Sequence, residues 1–407
     1  KMKDSGIEWI GEIPEGWSKN KVIRLFDIIG SGTTPKNITS DFPVVNWIQS
    51  GDITGSFMPA CKNVISANLL SQYSALKVYP APFIIIAMYG ASVGNASISL
   101  IDGCVNQACC VLSSPSCNLH YAFYVIKSTQ SYLVRKAVGG GQPNISQETI
   151  KQLWLPLPPL STQDIIVRNL DATCSRIDDL LTSVHASIEE YKKFKQAVIT
   201  QAVTTLNCPN VKLKYLMDII VDCPHETPIY TFTGNYLVIR TSDQSLASLR
   251  CDEHMYRLDE AEYKKRTRRL TLDKDDIVYG REGSWGLACL VPQSNKYCLG
   301  QRVMQFRCNT RLLYPKYAMY ALNSETVYMQ GALDTIGSTA PHVNISTICN
   351  YLLPVPALTE QKEITSYLDA KCAEIDRLIA KKEQLVKELE SYKKSLIYEV
   401  VTGKREV

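Results

Sequence analysis

The chain is written twice, and that repeat limits its possible folds more than any other feature. Leu155-Pro156-Leu157-Pro158-Pro159-Leu160-Ser161-Thr162-Gln163 matches Leu353-Pro354-Val355-Pro356-Ala357-Leu358-Thr359-Glu360-Gln361. The same register, with no gap, then joins Leu170-Asp171 to Leu368-Asp369, Ile177-Asp178 to Ile375-Asp376, Phe194-Lys195 to Tyr392-Lys393 and Val203-Thr204 to Val401-Thr402. A repeat of this kind is read before any local pattern, because each copy is one structural unit and the copies complete each other's core.

Both repeated segments are helices by period. Leu170, Cys174, Ile177, Leu181, Val184, Ile188, Tyr191, Lys195, Val198 and Ala202 alternate steps of four and three. Leu368, Cys372, Ile375, Ile379, Lys382, Val386, Leu389, Lys393, Leu396 and Val400 repeat the stripe. A sustained 3.5-residue period marks a left-handed coiled-coil seam. Each helix follows a Pro-rich stretch, with Ser161 or Thr359 as the expected N-cap. About 40 residues at 1.5 Å each make a rod roughly 60 Å long. Such a rod cannot bury its stripe alone, and the other copy is its expected partner in an antiparallel pair. Lys195 and Lys393 hold equivalent seam positions, where a buried cation is costly. The seam is therefore expected to open there, and contact with another subunit or a ligand is a second reading.

The segments before the helices correspond more faintly. Leu25-Phe26-Asp27-Ile28-Ile29 parallels Leu216-Met217-Asp218-Ile219-Ile220, and Asn106-Gln107 parallels Gly300-Gln301. Tyr121-Ala122-Phe123-Tyr124 parallels Tyr317-Ala318-Met319-Tyr320. Tyr89-Gly90 falls opposite Tyr279-Gly280, each before a glycine-bearing turn, and Asn144-Ile145-Ser146 falls opposite Asn344-Ile345-Ser346. Short β-rich runs mixed with a few helices give an α+β class. The expected order is a module over 1–152, a helical region over 153–206, a second module over 207–350 and a second helical region over 351–407. The result is an internal tandem repeat with pseudo-twofold character.

Composition excludes several alternatives. No apolar run approaches the roughly 18 to 20 residues a membrane span needs. The N-terminal stretch, with Asp4, Glu8, Glu12 and Glu15, is unlike a secretory signal, so a cytoplasmic protein is expected. Fourteen cysteines include no Cys-x-x-Cys pair, which favours buried reduced thiols over a metal site. Chemistry is also missing. There is no phosphate-binding Gly-x-x-x-x-Gly-Lys-Ser/Thr loop and no Asn-Pro-Pro-Tyr or Asp-Pro-Pro-Tyr methylation sequence. The run Gly139-Gly140-Gly141 reads as a loop, and Cys223-Pro224-His225-Glu226 is an unconvincing catalytic cluster in a chain with five scattered histidines. No catalytic residue, metal or cofactor is expected.

Organisation carries the functional reading. A duplex is nearly twofold symmetric, and dimeric DNA-binding proteins place two readers at fixed spacing on it. Fusing two modules with divergent loops keeps a spacing while allowing two different half-sites. Charge alone does not demand this: residues 18–150 hold nine Lys/Arg against five Asp/Glu, and residues 210–350 hold seventeen against fifteen. The lead Met2-Lys3-Asp4-Ser5-Gly6-Ile7-Glu8-Trp9-Ile10-Gly11-Glu12-Ile13-Pro14-Glu15-Gly16-Trp17, the Pro-rich stretches with Thr/Ser-x-Gln, the Ile-Asp-x-Leu seam and the Asn-Ile-Ser turns add a resemblance. Over essentially its whole length the chain resembles the specificity (S) subunit of type I restriction–modification enzymes. That resemblance implies two target recognition domains, each reading half of a split double-stranded DNA site, and helices acting as a ruler. It also implies docking of two modification (M) subunits and recruitment of restriction (R) subunits for cleavage. A fused nuclease and a coiled-coil scaffold without DNA binding are the competing readings. The first lacks any carboxylate–lysine or nucleotide motif, and divergent loops argue against the second.

Candidate DNA contacts follow from loops and charge. Lys264, Lys265, Arg266, Arg268 and Arg269 form the densest basic run, suited to phosphates, although Glu260 and Glu262 could lace it into a solvated helix face. Tyr279, Arg281, Glu282 and Ser284 lie on a glycine-hinged loop, where arginine can take guanine and glutamate can accept from cytosine. Tyr89, Ser92 and Asn95 are their expected counterparts in the first module. Gln49, Ser50 and Asp52 correspond to Arg240, Thr241 and Asp243, and Gln142 and His342 precede the Asn-Ile-Ser turns. Asn144 and Asn344 themselves are read as structural. The spacer is assigned to Leu170, Ile177, Leu181, Val184 and Ile188 with Leu368, Ile375, Ile379, Val386 and Leu389.

Overall fold

A computed structural model describes residues 1–36, 38, 41–138, 143–250, 255–283, 285–335 and 342–406. By contact the chain forms two compact units. The first comprises Lys1–Ser183 with Leu385–Val407, and the second is Val184–Gln384. The long helices, Leu160–Thr204 and Leu358–Val401, are 45 and 44 residues, and each contributes one part to each unit.

In the first unit the strand Phe83–Ala87 lies between Cys109–Pro115 and Ala96–Ser99, with Phe26–Gly30 and Phe57–Met58 at the edges. Its run of five apolar residues is buried throughout because both faces of the sheet are covered. Ile84, Ile86, Cys110 and Leu112 face the helix Leu119–Ser128 and the long helices, whereas Phe83, Ile85, Cys109 and Val111 face a second cluster. That cluster includes Ile48 and Val105 of a smaller sheet, in which Val44–Ile48 runs parallel to Cys104–Val105 and antiparallel to Val64–Ser66. Around this core, the hairpin Met2–Ile7 with Gly11–Pro14 meets the second helix, where Tyr398 donates from its hydroxyl to the Ile10 carbonyl (3.2 Å).

The second unit repeats the plan. Its sheet order is Met217–Asp222, Val303–Cys308, Ile277–Gly280 and Ala288–Leu290. Its smaller sheet pairs Tyr236–Ile239 parallel to Tyr297–Leu299 and antiparallel to Arg257–Leu258. Ile277, Tyr279, Met304 and Phe306 pack toward the helices, and Val278, Cys289 and Val303 pack toward the smaller sheet.

The Pro-rich stretches are edge strands. Trp154–Leu157 pairs with Ser18–Lys21, and Leu352–Pro354 pairs with Asn210–Lys212. Proline is tolerated at such edges. Each helix starts sooner than the sequence suggested, at Leu160 and Leu358, so Ser161 and Thr359 lie inside the first turn and cap nothing. The expected seam is present: Leu170, Ile177, Ile188, Leu368, Ile375 and Val386 are buried, and Leu181, Val184, Ile379 and Leu389 are half-buried. The seam does not open at the two lysines. In the first unit Lys393 Nζ lies 2.6 Å from each carboxylate oxygen of Asp178. In the second Lys195 lies 2.9 and 2.8 Å from those of Asp376. The aspartate of the Ile-Asp pair on one helix thus neutralises the lysine of the other, reciprocally, and the pairing is antiparallel.

The modules are fastened to the helices by matching side-chain bonds. Tyr121 and Tyr317 donate to the carbonyls of Pro156 and Pro354, both at 2.9 Å. Tyr124 and Tyr320 donate to Asp171 (2.6 Å) and Asp369 (2.9 Å). Gln163 and Gln361, both buried, accept from the Asn118 and Tyr314 N–H groups and donate to the Pro158 and Pro356 carbonyls. A buried side chain held at both ends is costly to exchange, which accounts for the Gln in both copies.

Candidate nucleic-acid interface

In each unit the two parallel strands of the smaller sheet end beside a turn of the larger one. In the second unit the Gly300 N–H donates to Ile239 O (2.8 Å), Arg281 N–H to Arg302 O (2.8 Å) and Val343 N–H to Arg281 O (3.1 Å). The first unit makes the same three bonds: Asn106 to Ile48 (3.1 Å), Met88 to Ala108 (2.8 Å) and Ile145 to Met88 (2.9 Å). One further pair was not anticipated. Thr34 donates to Gln107 Oε1 (2.6 Å), and Gln301 donates to Thr227 Oγ1 (2.9 Å). The signal was available as two Thr-Pro dipeptides, Thr34-Pro35 and Thr227-Pro228.

These ladders correct the alignment of the loops. Ile86 pairs with Cys110 and Ala96, and Tyr279 pairs with Met304 and Ala288, so Tyr279 is the counterpart of Ile86. Tyr89 is then the counterpart of Glu282, and Gly90 (φ 73°) that of Gly283 (φ 69°). Bridges from Tyr89 to Asn144 and from Glu282 to His342 agree. Asn344 likewise matches Ser146, since both hold the N-cap position of short helices that bury Ile348 and Ile150. The matching Asn-Ile-Ser triplets are two positions out of register.

Several candidates are internal. Tyr279 is fully buried, its hydroxyl 3.4 Å from that of Tyr351. Arg266 is buried and donates to the carbonyls of Leu299, Glu226 and Pro224. Asp52 and Asp243 are buried and accept from the N–H groups of Gln49 (2.9 Å) and Arg240 (3.0 Å), fixing the turn rather than facing outward. Asn95 accepts from the Gln130 amide, and Ser92 donates to the Tyr89 carbonyl (3.3 Å). Lys264 pairs with Glu260 (2.7 Å) and Lys265 with Glu226 (2.8 Å), leaving Arg268 and Arg269 as the exposed end of the basic run. Gln142, Ser284 and Gly139-Gly140-Gly141 lie outside the described residues.

What remains at the loop cluster differs between the units. Gln49 accepts from Asn63 (3.2 Å), whereas its counterpart Arg240 forks onto Asp243 (2.7 and 2.8 Å) with its guanidinium 3.8 Å from the Tyr256 ring centre. Ser50 and Thr241 follow them, both half-buried. The apolar Met88 is replaced by Arg281, a buried cation held by Glu282 (2.8 Å) and by Asp222, whose Oδ1 is 3.3 Å from Nε without hydrogen-bond alignment. Exposed Tyr89 becomes Glu282, exposed Asn144 becomes exposed His342, and Ala108 becomes Arg302. The backbone frame is shared, and the side chains offered on it are not.

The profile of the type I restriction modification DNA specificity domain matches residues 14–190 and again residues 222–389. The chain belongs to this family. Among relatives, the MjaVIII specificity subunit of Methanocaldococcus jannaschii is 25% identical over 70% of this chain and 69% of its own length. The EcoBI specificity subunit of Escherichia coli is 22% identical over 84% and 78%. A chain from a solved type I R-M system, studied for its complex assembly and conformational transition, superposes with a TM-score of 0.71 at 16% identity, covering 97% of this chain and 99% of that one. The family match falls on both copies of the repeat, and the fold agrees with it. Members of this specificity family select a site and are not its catalytic component. The cysteines among the described residues are free thiols, and burial pushes those of Cys109 and Cys298 up to about 12. Among the described residues, no group of His, Cys, Asp and Glu could hold a metal, and no helix is long and apolar enough to cross a membrane.

Proposed function

We propose that this chain is the DNA sequence-specificity subunit of a type I restriction–modification complex. Each module reads one half of an asymmetric, bipartite double-stranded site through its loop cluster. The paired helices set the gap between the halves and dock two methyltransferase (M) subunits, and restriction (R) subunits complete the cleaving complex. Adenine methylation and cleavage belong to those partners, in the cytoplasm where the chromosome lies. The observation that carries this reading is the pair of loop clusters, alike in backbone bonds and unlike in side chains. A scaffold without DNA binding gives no reason for that divergence.

The test is a methylation map. The chain is co-expressed with its M subunit in a methylation-free host, and modified bases are sequenced. Two short defined halves around a fixed gap are expected. Inserting four residues, roughly one turn, into one long helix should change the gap and leave both halves intact. An unmodified genome despite a soluble M–S complex would overturn the proposal.

A further inference from the structure

Arg302 combines three properties found in no other arginine among the described residues. Its backbone has φ 70°, a left-handed conformation that residues with a Cβ seldom adopt and that concentrates at functional sites. Its side chain is exposed and makes no hydrogen bond or ion pair with the described residues, whereas Arg240, Arg266, Arg281 and Arg307 are all held by carboxylates or carbonyls. Its carbonyl accepts from both Arg281 N–H (2.8 Å) and Glu282 N–H (3.4 Å), which ties it to the turn at the centre of the loop cluster. A Cβ on Gly283 would lie 3.7 Å from an Arg302 guanidinium nitrogen, so the side chain lies alongside the glycine of that turn. Glycine would adopt this φ freely. A strained arginine in its place implies that the side chain is what the position supplies.

We propose that Arg302 reads a guanine in the half-site of the second module, donating two N–H bonds to its N7 and O6. This rests on the DNA-reading function proposed above. The planar guanidinium fork matches that pair of acceptors in the major groove, and its anchoring to the turn fixes the direction of approach. In the first unit the same backbone bond runs from Met88 N–H to the carbonyl of Ala108, whose methyl offers no donor. The contact therefore belongs to one half-site only.

Methylation maps of the M–S complex carrying Arg302→Gly or Arg302→Lys test this. Glycine suits the backbone, so its effect is that of the missing side chain, and lysine keeps the charge while losing the fork. Both variants should keep a split motif but relax one G·C position in a single half-site, with discrimination there falling roughly 5- to 150-fold. An unchanged motif would overturn the proposal. So would evenly weakened methylation at an unchanged motif, which is the signature of a phosphate contact, or relaxation in the glycine variant alone. A wild-type map without any split motif would instead remove the DNA-reading function itself, and the proposal with it.

Discussion

The junctions between modules and helices and the loop clusters of the same modules have diverged in opposite ways. Where modules meet helices the two units share Tyr121 and Tyr317 on proline carbonyls and Tyr124 and Tyr320 on aspartates, and between the helices they share Lys393 and Lys195 on Asp178 and Asp376. At the loop clusters the backbone bonds, the turn aspartates Asp52 and Asp243 and the threonine–glutamine contacts agree, but Met88, Tyr89 and Ala108 give way to Arg281, Glu282 and Arg302. A junction made through side chains fixes which residue must be present. A frame made through backbone N–H and C=O groups fixes only the path of the chain, and any residue that tolerates that path can stand on it. Conserved architecture with variable readout follows from that difference.

The comparison can be broken where the repeat is tightest. Leu170 and Leu368 are equivalent and fully buried, so replacing either with alanine should cost about 2–5 kcal/mol, in similar amounts, by urea unfolding of the purified chain. A wide gap between the two would show that the junctions are alike in geometry only. The ion pairs sharpen the test. Lys195 is 9% exposed and Lys393 17%, while Asp376 and Asp178 are 53% and 56% exposed. Solvent screening of the aspartates limits each pair to about 1–2 kcal/mol. Asp376→Ala should cost more than Asp178→Ala, because it strands the more deeply buried amine. Adding Lys195→Met should recover part of that loss, and no recovery would mean the stranded charge was not its cause. The smallest expected effect lies in the loops. Asp52→Ala and Asp243→Ala each remove a capping acceptor, worth about 1 kcal/mol, and the second should also shift the half-site of its module by releasing Arg240. A change in the other half-site would contradict the independence of the clusters.

The helices were legible in the sequence because a gapless repeat and a 3.5-residue period identify the seam without reference to anything outside it. Asp178 and Asp376 were visible as well, but not as partners of Lys393 and Lys195, since only the antiparallel pairing brings them together. The loops were less legible. Tyr-Gly occurs at both Tyr89-Gly90 and Tyr279-Gly280, yet the ladder sets Tyr279 opposite Met304 in the core. A two-residue match cannot fix a register that hydrogen bonds decide. The burial of Arg266 was hidden for a related reason, because the carbonyls that hold it have no signature in sequence. Arg302 was missed because its left-handed backbone is usually announced by glycine or asparagine.

The division of the long helices has a consequence for how the protein is made. The second unit is one continuous stretch, Val184–Gln384, but the core of the first is closed by Leu396, Ile397, Val400 and Val401. On a ribosome adding roughly 5–20 residues per second, the whole of the second unit is synthesised before those four side chains exist. For about 10–40 s at that rate the nascent first module carries Ile166, Leu170, Cys174 and Ile177 on a helix with no partner for them. The module begun first is therefore finished last, and the newborn chain must be kept from aggregating until its final turn of helix arrives.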